Sequence, residues 1–111
     1  MKYLLLIYED DAERVEKMDE RMPHCAAYAD AMKKAGIYLA GERLRAASST
    51  TSVRVGNGRT QVIDGPYAEA KEQLGGFHLI DVPDHETALA WAARCPSAGR
   101  GRVEVRPVWP T

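Results

Sequence analysis

Cysteine is scarce in this chain, with only Cys25 and Cys95 among 111 residues. They lie far apart with no Cys-x-x-Cys spacing, which excludes a disulfide scaffold in a chain with apolar residues enough for a core. Both read as reduced packing residues of a cytoplasmic protein. Histidine is scarce too. His24, His78 and His85 show neither helical i, i+4 pairing nor Cys/His ligand spacing, so no metal and no other cofactor is expected. Gly56-Asn57-Gly58 lacks the Lys-Ser and helix of a phosphate loop, and no nucleophile elbow occurs. An excess of one charge is missing as well: 15 Lys and Arg face 16 Asp and Glu, for a net charge of -1. Nothing steers the chain toward nucleic acid or an anionic membrane, and the cluster Arg94, Arg100 and Arg102 reads as a solvated loop. The apolar run Tyr3 to Tyr8 is shorter than a signal-peptide core or a membrane span and meets Glu9, Asp10 and Asp11 at once. No internal repeat or low-complexity tract appears.

What is present is a hydrophobic content of 45% on a length that fits one domain, residues 1–111. Tyr3 to Tyr8 is apolar on both alternating faces, as a strand buried on two sides reads. Val15, Met18, Met22, Cys25, Ala29 and Met32 follow helical spacing, interrupted by Pro23. Proline suits a first turn, so the pattern predicts a short helix near Ala12 to Arg21 and a longer one from Pro23 to Ala35, closed by Gly36. Ile37 to Gly41 resumes as a strand. Thr51 to Val55 and Thr60 to Ile63 flank Gly56-Asn57-Gly58 as a β-hairpin. Phe77 to Val82 is a further strand, Asp84 caps a helix from His85 to Arg94, and Val103 to Val108 is the last strand. The order is close to a ferredoxin-like β-α-β-β-α-β plan with an added hairpin. Two helices cover one face of such a sheet, yet Phe77 and Leu79 alternate with Ile80 and Val82, so both faces are apolar. The uncovered face predicts a homodimer in which two sheets meet.

The run Asp64 to Val82, DGPYAEAKEQLGGFHLIDV, combines a turn tripeptide, a charged segment, a Gly-Gly pair and a strand. It resembles the signature of the DGPF-motif branch of the YCII-related family, with Tyr67 where that motif usually has Phe. The likeness extends to KYLLLIY at the start, AGIYLAGERL from Ala35, TTSVR from Thr50, and ALAWAARCP and VEVRPV near the end. It implies an α+β ferredoxin-like sandwich that forms a dimeric α/β barrel. Relatives outside the DGPF branch place a histidine near the start of the long helix and an aspartate after the next strand as an acid-base pair. His24 is the counterpart here, one residue farther from Gly36, which turns it by about 100° around the helix. The segment after Gly41 carries no aspartate, and Glu42 is the nearest acidic substitute.

The residues offer further candidates. Turn chemistry alone accounts for Asp64-Gly65-Pro66, a rigid corner, and the functional alternative is that the corner holds the Asp64 carboxylate at a cleft as a base. Glu69, Lys71 and Glu72 on a helical turn would be solvated or paired charges. Lys71, midway between the corner and Gly75-Gly76, is the one placed to bind an anionic ligand. His78 shares a strand face with Ile80 and Val82, where a histidine is usually packed and hydrogen-bonded; if that face lines a dimer cavity, it is the group best placed to titrate near neutral pH. Arg106, alternating with Val105 and Pro107, is either an outer-face charge or a carboxylate holder. The leading expectation is an acid-base enzyme of the lyase or isomerase kind, or a binder of a small anionic metabolite, with Asp64, His78 and His24 as catalytic candidates and Lys71, Arg106 and Glu42 as ligand-binding ones. The alternative comes from the resemblance: DGPF-branch members carry a label tying them to transcription initiation and some accompany sigma factors, which implies a regulatory protein-binding role.

Overall fold

The computed structural model describes residues 1–66 and 68–110. Strand β1 (Lys2–Asp10) leads into helix α1 (Asp11–Glu16) and helix α2 (Met18–Lys34), and β2 (Tyr38–Arg43) follows. After a short 3₁₀ turn come β3 (Thr51–Gly56), β4 (Arg59–Asp64), β5 (Glu72–Asp81), α3 (His85–Arg94), a second 3₁₀ turn (Pro96–Gly99) and β6 (Arg102–Pro107). Four strands form one antiparallel sheet in the order β2-β5-β1-β6, while β3 and β4 form a separate two-stranded hairpin. Among the described residues this is a mixed α+β fold with no closed barrel; the expected barrel would require a second chain.

The helices lie on one face. Tyr3, Leu5 and Ile80 of the sheet, with Val82 just past the end of β5, bury against Tyr28 and Met32 of α2 and Ala88 and Ala92 of α3. Each fully buried Leu or Ile side chain contributes about 1.5 to 3 kcal/mol through the surface it removes from water. Tyr28 belongs in this core because its hydroxyl donates to the Trp91 carbonyl at 2.6 Å, so no polar atom is stranded. The opposite face carries Leu4, Leu6, Phe77 and Leu79, all half-buried.

Pro23 does not begin the long helix. It sits inside α2, and the chain breaks instead at Lys17. The missing N–H leaves the Asp19 carbonyl without its helical donor. Both Asp19 and Pro23 are exposed, so water can satisfy that carbonyl. The helix ends as expected: Gly36 takes φ +75°, with its N–H donating to Lys33 and that of Ile37 to Met32. Asp84 caps α3 by accepting from the Thr87 amide at 2.8 Å.

The hairpin turns through Asn57 and Gly58, both at positive φ. Successive positive φ values match the strands' right-handed twist. The Asp64-Gly65-Pro66 corner is fixed. Gly65 has φ +94°, its N–H donates to the Thr50 carbonyl at 2.7 Å, and its carbonyl accepts from Ser52 Oγ at 3.1 Å. Tyr67 of the signature lies outside the described residues. No helical turn carries Glu69, Lys71 and Glu72: residues 69–71 are irregular and Glu72 opens β5.

Candidate functional site

A cavity of about 270 Å³ opens between α1, α2 and the helix-covered face of the sheet. β1 supplies Ile7 and Glu9 because its alternation puts every second residue under the helices. β5 supplies His78, in phase with Ile80, and the pair Gly75-Gly76. β1 pairs Ile7 with Gly76 and Tyr8 with Leu74, so Gly75 is an extra residue on β5, a β-bulge beside the cavity. From α2 come Met18, Met22, Cys25 and Ala29 at helical spacing.

The bulge makes room for Arg14. A Cβ on Gly75 would fall 2.6 Å from Arg14 Nε and 2.7 Å from its Cδ, closer than nonbonded atoms tolerate. Arg14 is only 4% exposed, and its terminal nitrogens hold the chain after β2: Nη1 donates to the Leu44 carbonyl at 2.9 Å and Nη2 to that of Arg45 at 3.2 Å. Asp11 balances its charge at 3.4 Å and also accepts from the Ala47 amide. Arg14 Nε is buried with no hydrogen-bond partner.

Glu9 is the second buried charge, 5% exposed. Its Oε1 accepts from Arg21 Nη1 at 3.2 Å and from Arg100 Nε at 3.0 Å, and its Oε2 accepts from Ser97 Oγ at 3.0 Å. This ties the end of β1 to α2 and to the turn before β6. A carboxylate inside a protein is tolerated when charges and donors surround it in this way.

His78 is the third. Its ring meets Tyr28 edge-on, with centroids 5.5 Å apart, and Tyr38 at 6.1 Å. Its Nδ1 is buried without a partner against Gly41, where a Cβ would lie 2.6 Å from that nitrogen and 2.8 Å from the Tyr38 hydroxyl. Burial pushes the imidazole below its ordinary value of 6.5, so His78 is neutral at pH 7. A neutral ring carries one proton. Placing it on Nδ1 would bury a donor with nothing to bond, so the favoured tautomer has Nε2–H available to the cavity.

The sequence-derived candidates scatter. His78 lines the cavity, under the helices and not on the open face that a dimer would cover. Glu42 lines it too, although it is exposed at the end of β2. His24 is exposed on α2 and does not line the cavity; the neighbouring Cys25 does, as a turn of about 100° per residue requires. Arg106 pairs across from Leu4 on the opposite face of the sheet. Lys71 is 86% exposed at its side chain and reaches Asp10 at 3.6 Å. Asp64 is exposed at the end of the hairpin. Within one chain, then, Asp64, Lys71, His78 and Arg106 share no concave site. Sequence reasoning missed Arg14 and Glu9. A signal for Glu9 existed, since it continues the buried series Tyr3, Leu5, Ile7; for Arg14, on a single short helix turn, there was none.

Among the described residues, no group of three or more His, Cys, Asp or Glu side chains is arranged to hold a metal ion. Among the described residues no helix is long and apolar enough to cross a membrane.

The profile of the YCII-related domain matches residues 1–111. The chain is also 36% identical over 114 aligned positions to an uncharacterized protein of Rhizobium meliloti (strain 1021), covering 97% of this chain and 92% of that one. With a family profile spanning its whole length and a relative matched nearly end to end, the chain belongs to the YCII-related family.

Proposed function

We propose that this protein, a DGPF-type member of its family, binds a small molecule in the helix-side cavity and acts on it by acid-base chemistry of the lyase or isomerase type. The observation that carries the reading is His78: a neutral, half-buried imidazole whose buried Nδ1 has no protein hydrogen-bond partner, in a cavity of about 270 Å³. A ligand pocket runs to about 300 Å³ or more for drug-sized molecules, so this one suits something smaller. Nε2–H can donate to a carbonyl oxygen and pass its proton there as the adjacent carbon gives its own proton to the Glu42 carboxylate, which lines the same cavity, so that an enol forms; a neutral imidazole is suited to that role.

The test is solvent exchange. The protein is incubated in D₂O with a panel of small ketones, aldehydes and 2-oxo acids, and loss of the α-proton is followed by NMR. Exchange above the buffer rate is expected with some member of the panel. It should fall at least about 100-fold in His78→Gln, which keeps an N–H but cannot pass a proton. No exchange with any compound, or full exchange in the variant, refutes the proposal.

The working form we propose is a cytoplasmic homodimer in which two ferredoxin-like sheets pair into an α/β barrel. Leu4, Leu6, Phe77 and Leu79 are half-buried on a face that no helix covers, and water contact there is costly. Sedimentation at micromolar concentration should give twice the 12.3 kDa chain mass, and Phe77→Glu should give monomers. A wild-type monomer would remove this element of the proposal.

One observation favours a second reading, a protein-binding module linked to transcription initiation. Val53, Val55 and Val62 of the hairpin are 61%, 72% and 64% exposed, although Val53 and Val62 face each other across the strands. An isolated two-stranded hairpin is marginal in water, so contact with a partner would steady it. Co-sedimentation with a purified sigma factor, lost on Val53→Lys, is the result that this reading requires.

A further inference from the structure

Four arginines line the cavity, Arg14, Arg21, Arg43 and Arg100, against the two acids Glu9 and Glu42. That is a cationic lining in a protein of net charge -1. Three of the arginines are matched: Arg14 by Asp11, Arg21 by Glu9 and Glu13, and Arg100 by Glu9. Arg43 is different. Among the described residues it has no ion pair, and its Nη1 reaches from β2 across to α2, where it meets Met18 Sδ at 3.6 Å. Arg43 and Gly41 are two apart on β2, opposite Gly76 and His78 on β5. Arg43 therefore stands about 7 Å along the strand from the level of His78. Between these polar ends Ile7, Met22 and Ala29 provide an apolar wall. Arg14 adds a fixed positive charge from the floor, nine-tenths buried and with Nε unpartnered.

We infer that the cavity takes a small monocarboxylate, its charge met by Arg43 at the mouth and its carbon skeleton lying along the apolar wall toward His78 inside. One uncommitted cation matches one negative charge. A phosphate dianion would call for more free donors than Arg43 and His78 supply. The volume, about nine water molecules at roughly 30 Å³ each, holds an acid of benzoate size. The inference rests on the preceding reading of the cavity as the working site and adds the class of ligand.

The experiment is an NMR titration of the full chain with benzoate and butyrate, each against its neutral amide, benzamide and butyramide. The acids should move the signals of His78 and Met18 saturably, and the amides should bind at least about fivefold more weakly. Arg43→Met should weaken benzoate binding by about fivefold, the upper end for an exposed ion pair, and leave benzamide unchanged. Arg43→Lys should restore most of the loss. Arg43 has no acid partner to lose, so these variants should fold like the wild type. Added salt should weaken the acids only. Equal binding of acid and amide, or unchanged benzoate binding by Arg43→Met, overturns the inference even where exchange of neutral ketones persists. His78→Gln separates the two readings: benzoate binding that survives while proton exchange is lost supports both, whereas benzoate binding without any exchange in the wild type refutes the enzymatic proposal and leaves this inference standing.

Discussion

Replacing Gly75 with alanine tests how the cavity is built. The added methyl would lie 2.6 Å from Arg14 Nε and 2.7 Å from Cδ. A long side chain in open solvent would swing aside at little cost. Arg14 cannot do so freely, because Nη1 and Nη2 hold the Leu44 and Arg45 carbonyls and Asp11, and the side chain is 5% exposed. Either the methyl is squeezed in, which costs about 1 to 3 kcal/mol as overpacking, or Arg14 gives up one of its bonds, each worth about 1.5 to 3 kcal/mol when the donor is charged. The two routes overlap at a loss of about 1.5 to 3 kcal/mol, or a fall in Tm of roughly 10 °C for a chain of this length. Urea denaturation at fixed protein concentration would measure it. The decisive comparison is a double-mutant cycle with Arg14→Ala. If the clash with Arg14 is the cause, the Gly75→Ala penalty nearly vanishes in the Arg14→Ala background. An equal penalty in both backgrounds, or a loss below about 0.5 kcal/mol in the wild type, would refute the account of the bulge as a seat for Arg14.

Three other outcomes are expected. Burial lowers the folded pKa of His78 below the unfolded value of 6.5, so its contribution to stability is present above pH 6.5 and is lost as pH falls through the folded value; His78→Gln should flatten that part of the pH-stability curve, and an unchanged curve counts against the assignment. Gly65→Val should destabilise by about 1 to 3 kcal/mol, since φ +94° is strained for a β-branched residue, whereas Pro66→Ala should cost less; denaturation curves of the pair decide. Glu9→Ala strips Arg21, Arg100 and Ser97 of their shared acceptor and should cost about 3 kcal/mol, with Glu9→Gln intermediate; a neutral Glu9→Ala would mean that the cluster carries no net stability.

Local chemistry was legible before any coordinates. Period-two and helical spacings placed β1, α3, β6 and the second half of β5, whose first half from Glu72 was not expected, Asp84 identified the start of α3, and Asn57-Gly58 identified the hairpin turn, because each depends on residues within one turn or one strand. The same alternation put His78 on the side of Ile80 and Val82. The division of the first helical region was misread, because an exposed Pro23 leaves only a solvated carbonyl unpaired and α2 continues past it. The site depended on tertiary structure. Which sheet face the helices cover decides whether His78 or Arg106 lies beneath them, and that choice follows from connection geometry spread over the whole chain. Arg14 and Glu9 are charged residues whose burial is tolerated only because Asp11, Arg21, Ser97 and Arg100 arrive from distant segments. A charge in a sequence reads as solvated until its partners are placed, so composition and spacing determined the elements, while the packing of α1 and α2 over a bulged sheet decided which of their polar groups form a cavity.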